Sequence, residues 1–250
     1  MGGLAALGLV TKSVIDMLFR SKLAEASLPA EPLVRKRWAM VVNMKACLAQ
    51  GECTECIDAC HRTHNVPDLG NAKDEIKWIW KAPYEKVFPE QEQTLNREKR
   101  DDPVIVLCNH CDEPPCVKVC PTRATWKRED GIVMMDYHRC IGCRYCMAGC
   151  PYGARSFNWK NPRPFIEEIN VDFPTRTKGV VEKCNFCVER LAQGLPPACV
   201  EVCPGALIFG DLGDPDSEVR QIIQSQHTMQ RLPELGTKPS VFYVVDSKGT

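Results

Sequence analysis

The stretch "CIGCRYCMAGCP", residues 140–151, sets four cysteines into eleven positions and closes on a proline. The chain of 250 residues holds sixteen cysteines, and all of them fall into such groups. The groups are Cys47, Cys53, Cys56 and Cys60; Cys108, Cys111, Cys116 and Cys120; Cys140, Cys143, Cys146 and Cys150; and Cys184, Cys187, Cys199 and Cys203. Basic and acidic residues balance at 32 each, so no basic excess marks a face for nucleic acid. The length suits one or two compact domains with a core of ordinary size.

Three chemistries use cysteine at this density. Disulfide scaffolds belong to small secreted chains that cannot build a core, and this chain is not small. Structural zinc takes two C-x2-C pairs set well apart, four ligands to one tetrahedral ion. Iron–sulfur clusters take the run C-x2-C-x2-C-x3-C-P, which residues 140–151 match at every position. The match favours iron–sulfur, with a zinc-bearing interaction protein as the remote alternative.

The spacing has a mechanical reading. Three thiolates two residues apart on a looped backbone converge on three irons of one cube. The fourth lies about one helical turn further on and points away. In two-cluster ferredoxins it ligates the other cluster, so runs come in pairs. The run from Cys108 to Cys120, C-x2-C-x4-C-x3-C-P, is the near partner of 140–151. Crossing the fourth ligands assigns Cys108, Cys111, Cys116 and Cys150 to one cluster, and Cys120, Cys140, Cys143 and Cys146 to another. The outer groups then pair across the inserted block. Cys47, Cys53, Cys56 and Cys203 form one set, and Cys60, Cys184, Cys187 and Cys199 the other. Four [4Fe–4S] clusters are expected. The first group departs from the pattern: it is stretched to C-x5-C-x2-C-x3-C, and His61 rather than proline follows it. Eleven residues separate Cys187 from Cys199.

Four such motifs resemble the iron–sulfur subunits of the dimethyl sulfoxide reductase and NrfC family, over roughly residues 38–245. The stretches "NHCDEPPCVKVCPTRAT", "DGIVMMDYHRCIGCRYCMAGCPYGARSFNW", "TKGVVEKCNFC" and "CNFCVERLAQGLPPACVEVCP" carry the resemblance. "CIDACHRTHNVP", "KDEIKWIWKAPYEKVFP" and "FGDLGDPDSEVR" resemble most closely the DsrO type of the DsrMKJOP complexes. That resemblance implies an integral membrane subunit of the NrfD type that handles quinone, a multihaem cytochrome c, and other subunits of a Dsr-type complex in sulfur metabolism. The rival within the family is the equivalent subunit of another periplasmic quinone reductase or molybdopterin oxidoreductase complex.

The fold expected is α+β, two interleaved ferredoxin-like modules with inserted loops. Residues 37–60 with 180–250 make the outer module, 104–179 the inner one, and 61–103 an insertion read as a lid or a docking surface. Strands are expected at "KRWAMVVNMKAC", "VIVLCNHC", "GIVMMDYHRC", "ARSFNW", "ALIFGD" and "SVFYVV", with a hairpin at Asp130–Gly131. "DPDSEVRQIIQSQ" reads as a helix capped by Asp216 or Ser217. Residues 1–36 open on the apolar run "GGLAALGLV", too short to span a bilayer. It reads as part of an export signal or as a partner-contacting helix, which favours a peripheral protein on the extracytoplasmic face of the membrane. Sixteen cysteines satisfy four cubanes, so His61, His64, His110 and His138 are read as supporting residues, not ligands. No dinucleotide fingerprint, P-loop or haem-attachment motif is present. The function expected is an electron relay whose substrate chemistry belongs to its partners. The competing reading, an enzyme with its own active site, would need a further cofactor motif.

Overall fold

The computed structural model describes residues 36–91 and 101–245. The expectations for residues 1–35 fall outside the described residues.

The apolar run before the first cysteine group becomes strand β1 (Trp38–Asn43). Strand β8 (Leu207–Asp211) lies antiparallel to β1 with Met40 opposite Phe209. Strand β10 (Val241–Val244) lies parallel to β1 with Met40 opposite Val241, and β9 (Thr228–Met229) pairs with β10. The four form one sheet in the order β8-β1-β10-β9. Four successive β1 residues, Ala39 to Val42, are fully buried, because both faces of the strand are covered. Side chains alternate between the faces. Ala39 and Val41 pack with Val219 of the helix at Glu218–Ser225. Met40 and Val42 face the core that holds Cys56, Cys60, Cys108 and Cys184. Ser217 occupies the cap position of that helix, but its side chain makes no capping bond.

The segment 61–103 contributes structure of its own. Strand β2 (Ile79–Pro83) pairs antiparallel with β3 (Pro103–Leu107), placing Ile79 opposite Leu107. Trp78 is fully buried, which makes it a core residue and removes it from any docking face. Strands β4 (Thr125–Lys127) and β5 (Val133–Met135) form the hairpin around Gly131, whose φ of +86° suits glycine. Short strands β6 (Ser156–Phe157) and β7 (Val181–Glu182) join the stretch after the third cysteine group to the stretch before the fourth. Core residues from inner and outer stretches share one cluster, with Leu107 and Ile132 packed among Met40, Phe186 and Leu207.

Candidate iron–sulfur sites

A short helix carries the third cysteine of every group. In chain order after the helix at Met44–Leu48 (α1) come α2 (Glu55–Thr63), α3 (Tyr84–Val87) and α4 (Pro115–Lys118). Then follow α5 (Tyr145–Ala148), α6 (Val188–Leu191), α7 (Ala198–Glu201) and the helix Glu218–Ser225, α8. Cys116, Cys146 and Cys199 sit in the one-turn helices α4, α5 and α7, and the fourth cysteine lies just past each. In α2 both Cys56 and Cys60 are helical. Left-handed residues turn the loops ahead of these helices: His110 (φ +41°), Gly142 (+69°), Arg144 (+63°) and Cys187 (+51°). Gly142 has a second reason to be glycine, since a Cβ there would collide with the Gly179 carbonyl oxygen.

Tertiary folding brings distant thiols together. Cys108, Cys111, Cys116 and Cys150 line one small cavity, with Asn109 and Arg155 in its wall. Cys150 comes from the next group along the chain. Burial pushes the Cys111 thiol up to about 12, and the neighbouring Cys108, Cys116 and Cys150 sulfurs add to the rise. Burial together with Cys203, Cys47 and Cys53 likewise lifts Cys56 to about 12. Burial and then Cys184, Cys199 and Cys187 raise Cys60. Cys146 packs in one small core cluster with Cys120 and Cys140, and Cys143 is half-buried beside it in sequence. At Cys120 burial is outweighed by backbone N–H groups of Thr125, Ala124 and Thr122 and by the Thr122 hydroxyl, so its thiol is lowered.

The expected sets lie near one another. Cys184 lies beside Cys108, Cys60 and Cys199 beside Cys56, and Cys116 beside Cys146. The expected sets therefore follow one another, from the one containing Cys47 through those containing Cys60 and Cys108 to the one containing Cys140.

Three observations test whether these residues suit iron–sulfur clusters. All sixteen cysteines are free of disulfides. Among the described residues no three His, Cys, Asp or Glu groups converge closely enough to chelate one ion. A cube spreads its thiolates over four irons, whereas zinc draws four sulfurs to about 2.3 Å from one centre. The four cysteines lining the cavity of Cys108, Cys111, Cys116 and Cys150 offer one thiolate for each iron of a cube. Finally, both amide atoms of buried Asn109, between Cys108 and Cys111, have no partner. The orphan Nδ2 donor beside a cysteine-lined cavity suits a group whose sulfides accept hydrogen bonds. The residues fit.

Two of the histidines, His64 and His110, are buried. His64 stacks on Trp78 at 4.4 Å, with Nε2 at 2.8 Å from Glu189 Oε1 and Nδ1 at 2.9 Å from the Cys60 carbonyl oxygen. Burial opposes its charge, but Cys187 and Glu189 outweigh burial and raise its pKa to about 9. His110 stacks on Phe186 at 3.7 Å and accepts the Val133 N–H at Nδ1. Burial, with Lys183 and Arg155 nearby, holds it neutral. His138 is fully exposed. Sequence reasoning missed Asn109, Arg155 and Lys183. Lys183 adjoins Cys184, but adjacency alone does not reveal a buried side chain.

A family model described as a 4Fe–4S dicluster domain matches residues 104–164 and 169–212. An iron–sulfur subunit of the Hdr-like menaquinol oxidoreductase of Archaeoglobus fulgidus is 40% identical, across 96% of this chain and 94% of its own. The chain belongs to this family of iron–sulfur subunits. The iron–sulfur subunit of a dimethyl sulfoxide reductase assigned in Halobacterium salinarum is 42% identical over 83% of this chain and 78% of its own. The iron–sulfur cluster-binding subunit of the menaquinone reductase of Nitratidesulfovibrio vulgaris is 37% identical over 83% and 88%. Like other members of this iron–sulfur subunit family, the chain carries 4Fe–4S dicluster sequence and serves electron transfer. Among the described residues no helix is long and apolar enough to cross a membrane.

Proposed function

We propose that the chain binds four [4Fe–4S] clusters through its sixteen cysteines in the crossed sets given above. It relays electrons between a quinone-handling membrane subunit of the NrfD type and a cytochrome c or other redox partner, as a peripheral extracytoplasmic subunit. The observation that carries this reading is the cavity where Cys150 joins Cys108, Cys111 and Cys116. Bound clusters would supply one-electron redox centres. The protein's part is to hold thiolates, exclude water and align the sets. Cys56, Cys60, Cys108, Cys111, Cys116, Cys146, Cys184, Cys187 and Cys199 are all buried, so most ligands are shielded from solvent and oxidant. Cys47, Cys53 and Cys203 at one end of the series and Cys120, Cys140 and Cys143 at the other are half-buried, against Cys150 alone in the two middle sets, so the ends are where partners would exchange electrons.

The resemblance of "CIDACHRTHNVP" and "FGDLGDPDSEVR" to the DsrO type supports a complex of sulfur metabolism. A second reading, a subunit of another menaquinol or menaquinone oxidoreductase, is supported by the names of two relatives, from Archaeoglobus fulgidus and Nitratidesulfovibrio vulgaris. Anaerobic purification of the native complex tests both. The reading requires about sixteen irons per chain, four per cluster, and co-purification with a membrane subunit. Iron near half that value sinks the four-cluster count, and recovery free of any membrane protein sinks the partner. The co-purifying subunits decide between the two complexes.

A further inference from the structure

Among the described residues four Lys or Arg side chains are buried: Arg155, Arg176, Lys183 and Arg231. Arg176 has a carboxylate, Glu182, at 2.6 Å. The other three have none among the described residues. Arg155 Nη2 donates to Thr125 Oγ1 at 2.8 Å and lies 3.1 Å from Cys116 Sγ, while Nη1 reaches the Met135 sulfur at 3.8 Å. Lys183 Nζ donates to the carbonyl oxygens of Cys184, at 2.7 Å, and Val133. Arg231 Nε reaches the Val87 carbonyl at 3.4 Å, its Nη1 has no partner, and its guanidinium covers the Tyr152 ring at 5.3 Å.

One of these cations stands in the wall of a cysteine-lined cavity, and the other two each hold a residue of that wall. Arg155 itself, Val133 under Lys183, and Tyr152 under Arg231 all line the cavity of Cys108, Cys111, Cys116 and Cys150. A buried charge without a counter-charge is strongly unfavourable, so something negative must belong there. Four thiolates around an iron–sulfur core carry net negative charge, and one added electron makes the site more negative by one unit. Fixed positive charge at short range in a dry site lowers that cost. Elsewhere the balance differs: beside Cys60, His64 lies 2.8 Å from the Glu189 carboxylate, and Lys81 near Cys47 is only half-buried.

We propose that Arg155, Lys183 and Arg231 are the counter-cations of the cluster held by Cys108, Cys111, Cys116 and Cys150, and that they make it the first of the four to take an electron. This rests on the ligand sets proposed above. Arg155 also lies near Cys146, and Lys183 adjoins Cys184, so each reaches a neighbouring set as well; Arg231 approaches this cavity through the Tyr152 ring.

The test is an EPR-monitored redox titration of the full, anaerobically purified chain. The signal altered by Cys111→Ser identifies the cluster. In the unsubstituted protein that signal should appear at the highest potential. Arg155→Met, Lys183→Met and Arg231→Met should each move it to lower potential, and Arg155→Lys should leave it near its original place. A cation with a merely structural role would change iron content or melting without moving the midpoint. Should Arg155→Met lose iron because it touches a ligand sulfur, Arg231→Met, which touches none, decides alone. An unmoved midpoint in Arg231→Met at full iron content overturns the inference, as does a different signal reduced first. Low iron in the unsubstituted protein would instead defeat the four-cluster reading, so the two failures are distinct.

Discussion

Arg176 and Glu182 form an ion pair sealed from solvent: Arg176 Nε donates to Glu182 Oε2 at 2.6 Å, and both side chains are 0% exposed. Trp78 Nε1 donates to the same carboxylate at 2.9 Å and Asn158 Nδ2 at 2.5 Å. Arg176 also donates to the carbonyl oxygens of His64 and Asn65. One carboxylate thus ties the 61–103 segment, the strand after the third cysteine group and the strand before the fourth.

Glu182→Gln keeps the shape of this knot and removes its negative charge, leaving Arg176 buried and unpaired. Breaking a buried pair in this way costs about 3–5 kcal/mol. Chemical denaturation of the cluster-loaded protein should show a loss of that size, with Arg176→Met/Glu182→Met losing less than the sum of the two single changes. Equal, additive losses would mean the two residues are not coupled.

Trp78→Phe retains most of the packing against His64 and Phe173 but deletes the Nε1 donor. A hydrogen bond to a charged group contributes about 1.5–3 kcal/mol. Thermal unfolding should register a drop of this order, with iron content unchanged. A docking role for Trp78 would instead leave stability intact and weaken association.

Gly142→Ala forces a Cβ against the Gly179 carbonyl and strains a positive φ. Such strain costs about 1–3 kcal/mol. Because Gly142 precedes Cys143, the expected result is selective loss of the cluster assigned to Cys120, Cys140, Cys143 and Cys146. Gly153→Ala, at a positive φ with open space around it, provides the control and should keep all its iron.

Cys150→Ala should damage the cluster of Cys108, Cys111 and Cys116 and spare that of its sequence neighbours Cys140, Cys143 and Cys146. Individual EPR signals distinguish the two. Loss of only the latter signal would refute crossed ligation.

Iron removal should destabilise the whole chain. Without a cation the buried thiols, raised by burial and by one another at Cys56, Cys60 and Cys111, stay protonated and leave cavities among them. Metal binding to such sites is folding free energy. Chelation under reducing conditions should therefore lower the melting temperature and raise protease sensitivity. An unchanged melting curve would show the thiols to be self-sufficient packing.

Much of the site was legible in one dimension. The run at Cys140–Cys150 named its own chemistry, and its outward fourth thiol implied a partner run. Strand β1 was legible as a loosely alternating stretch entering the first cysteine group, although in the fold both of its faces are buried. The 61–103 segment was harder to read. Its charge suggests solvent, yet Trp78 and Ile79 lie in the core, and β2 is recognisable only once β3 is there to pair with it.

Spacing alone, then, determined that this chain carries four runs of closely set thiols, and it led to the expectation that their fourth members are exchanged between runs, because local backbone geometry converges three thiolates and turns the next away. Tertiary structure decided which cysteines share a core, Cys184 with Cys108 and Cys116 with Cys146, and where Arg155, Lys183 and Arg231 come to rest. Burial and the company of other charges are properties of packing between distant segments, and no local pattern of residues encodes them.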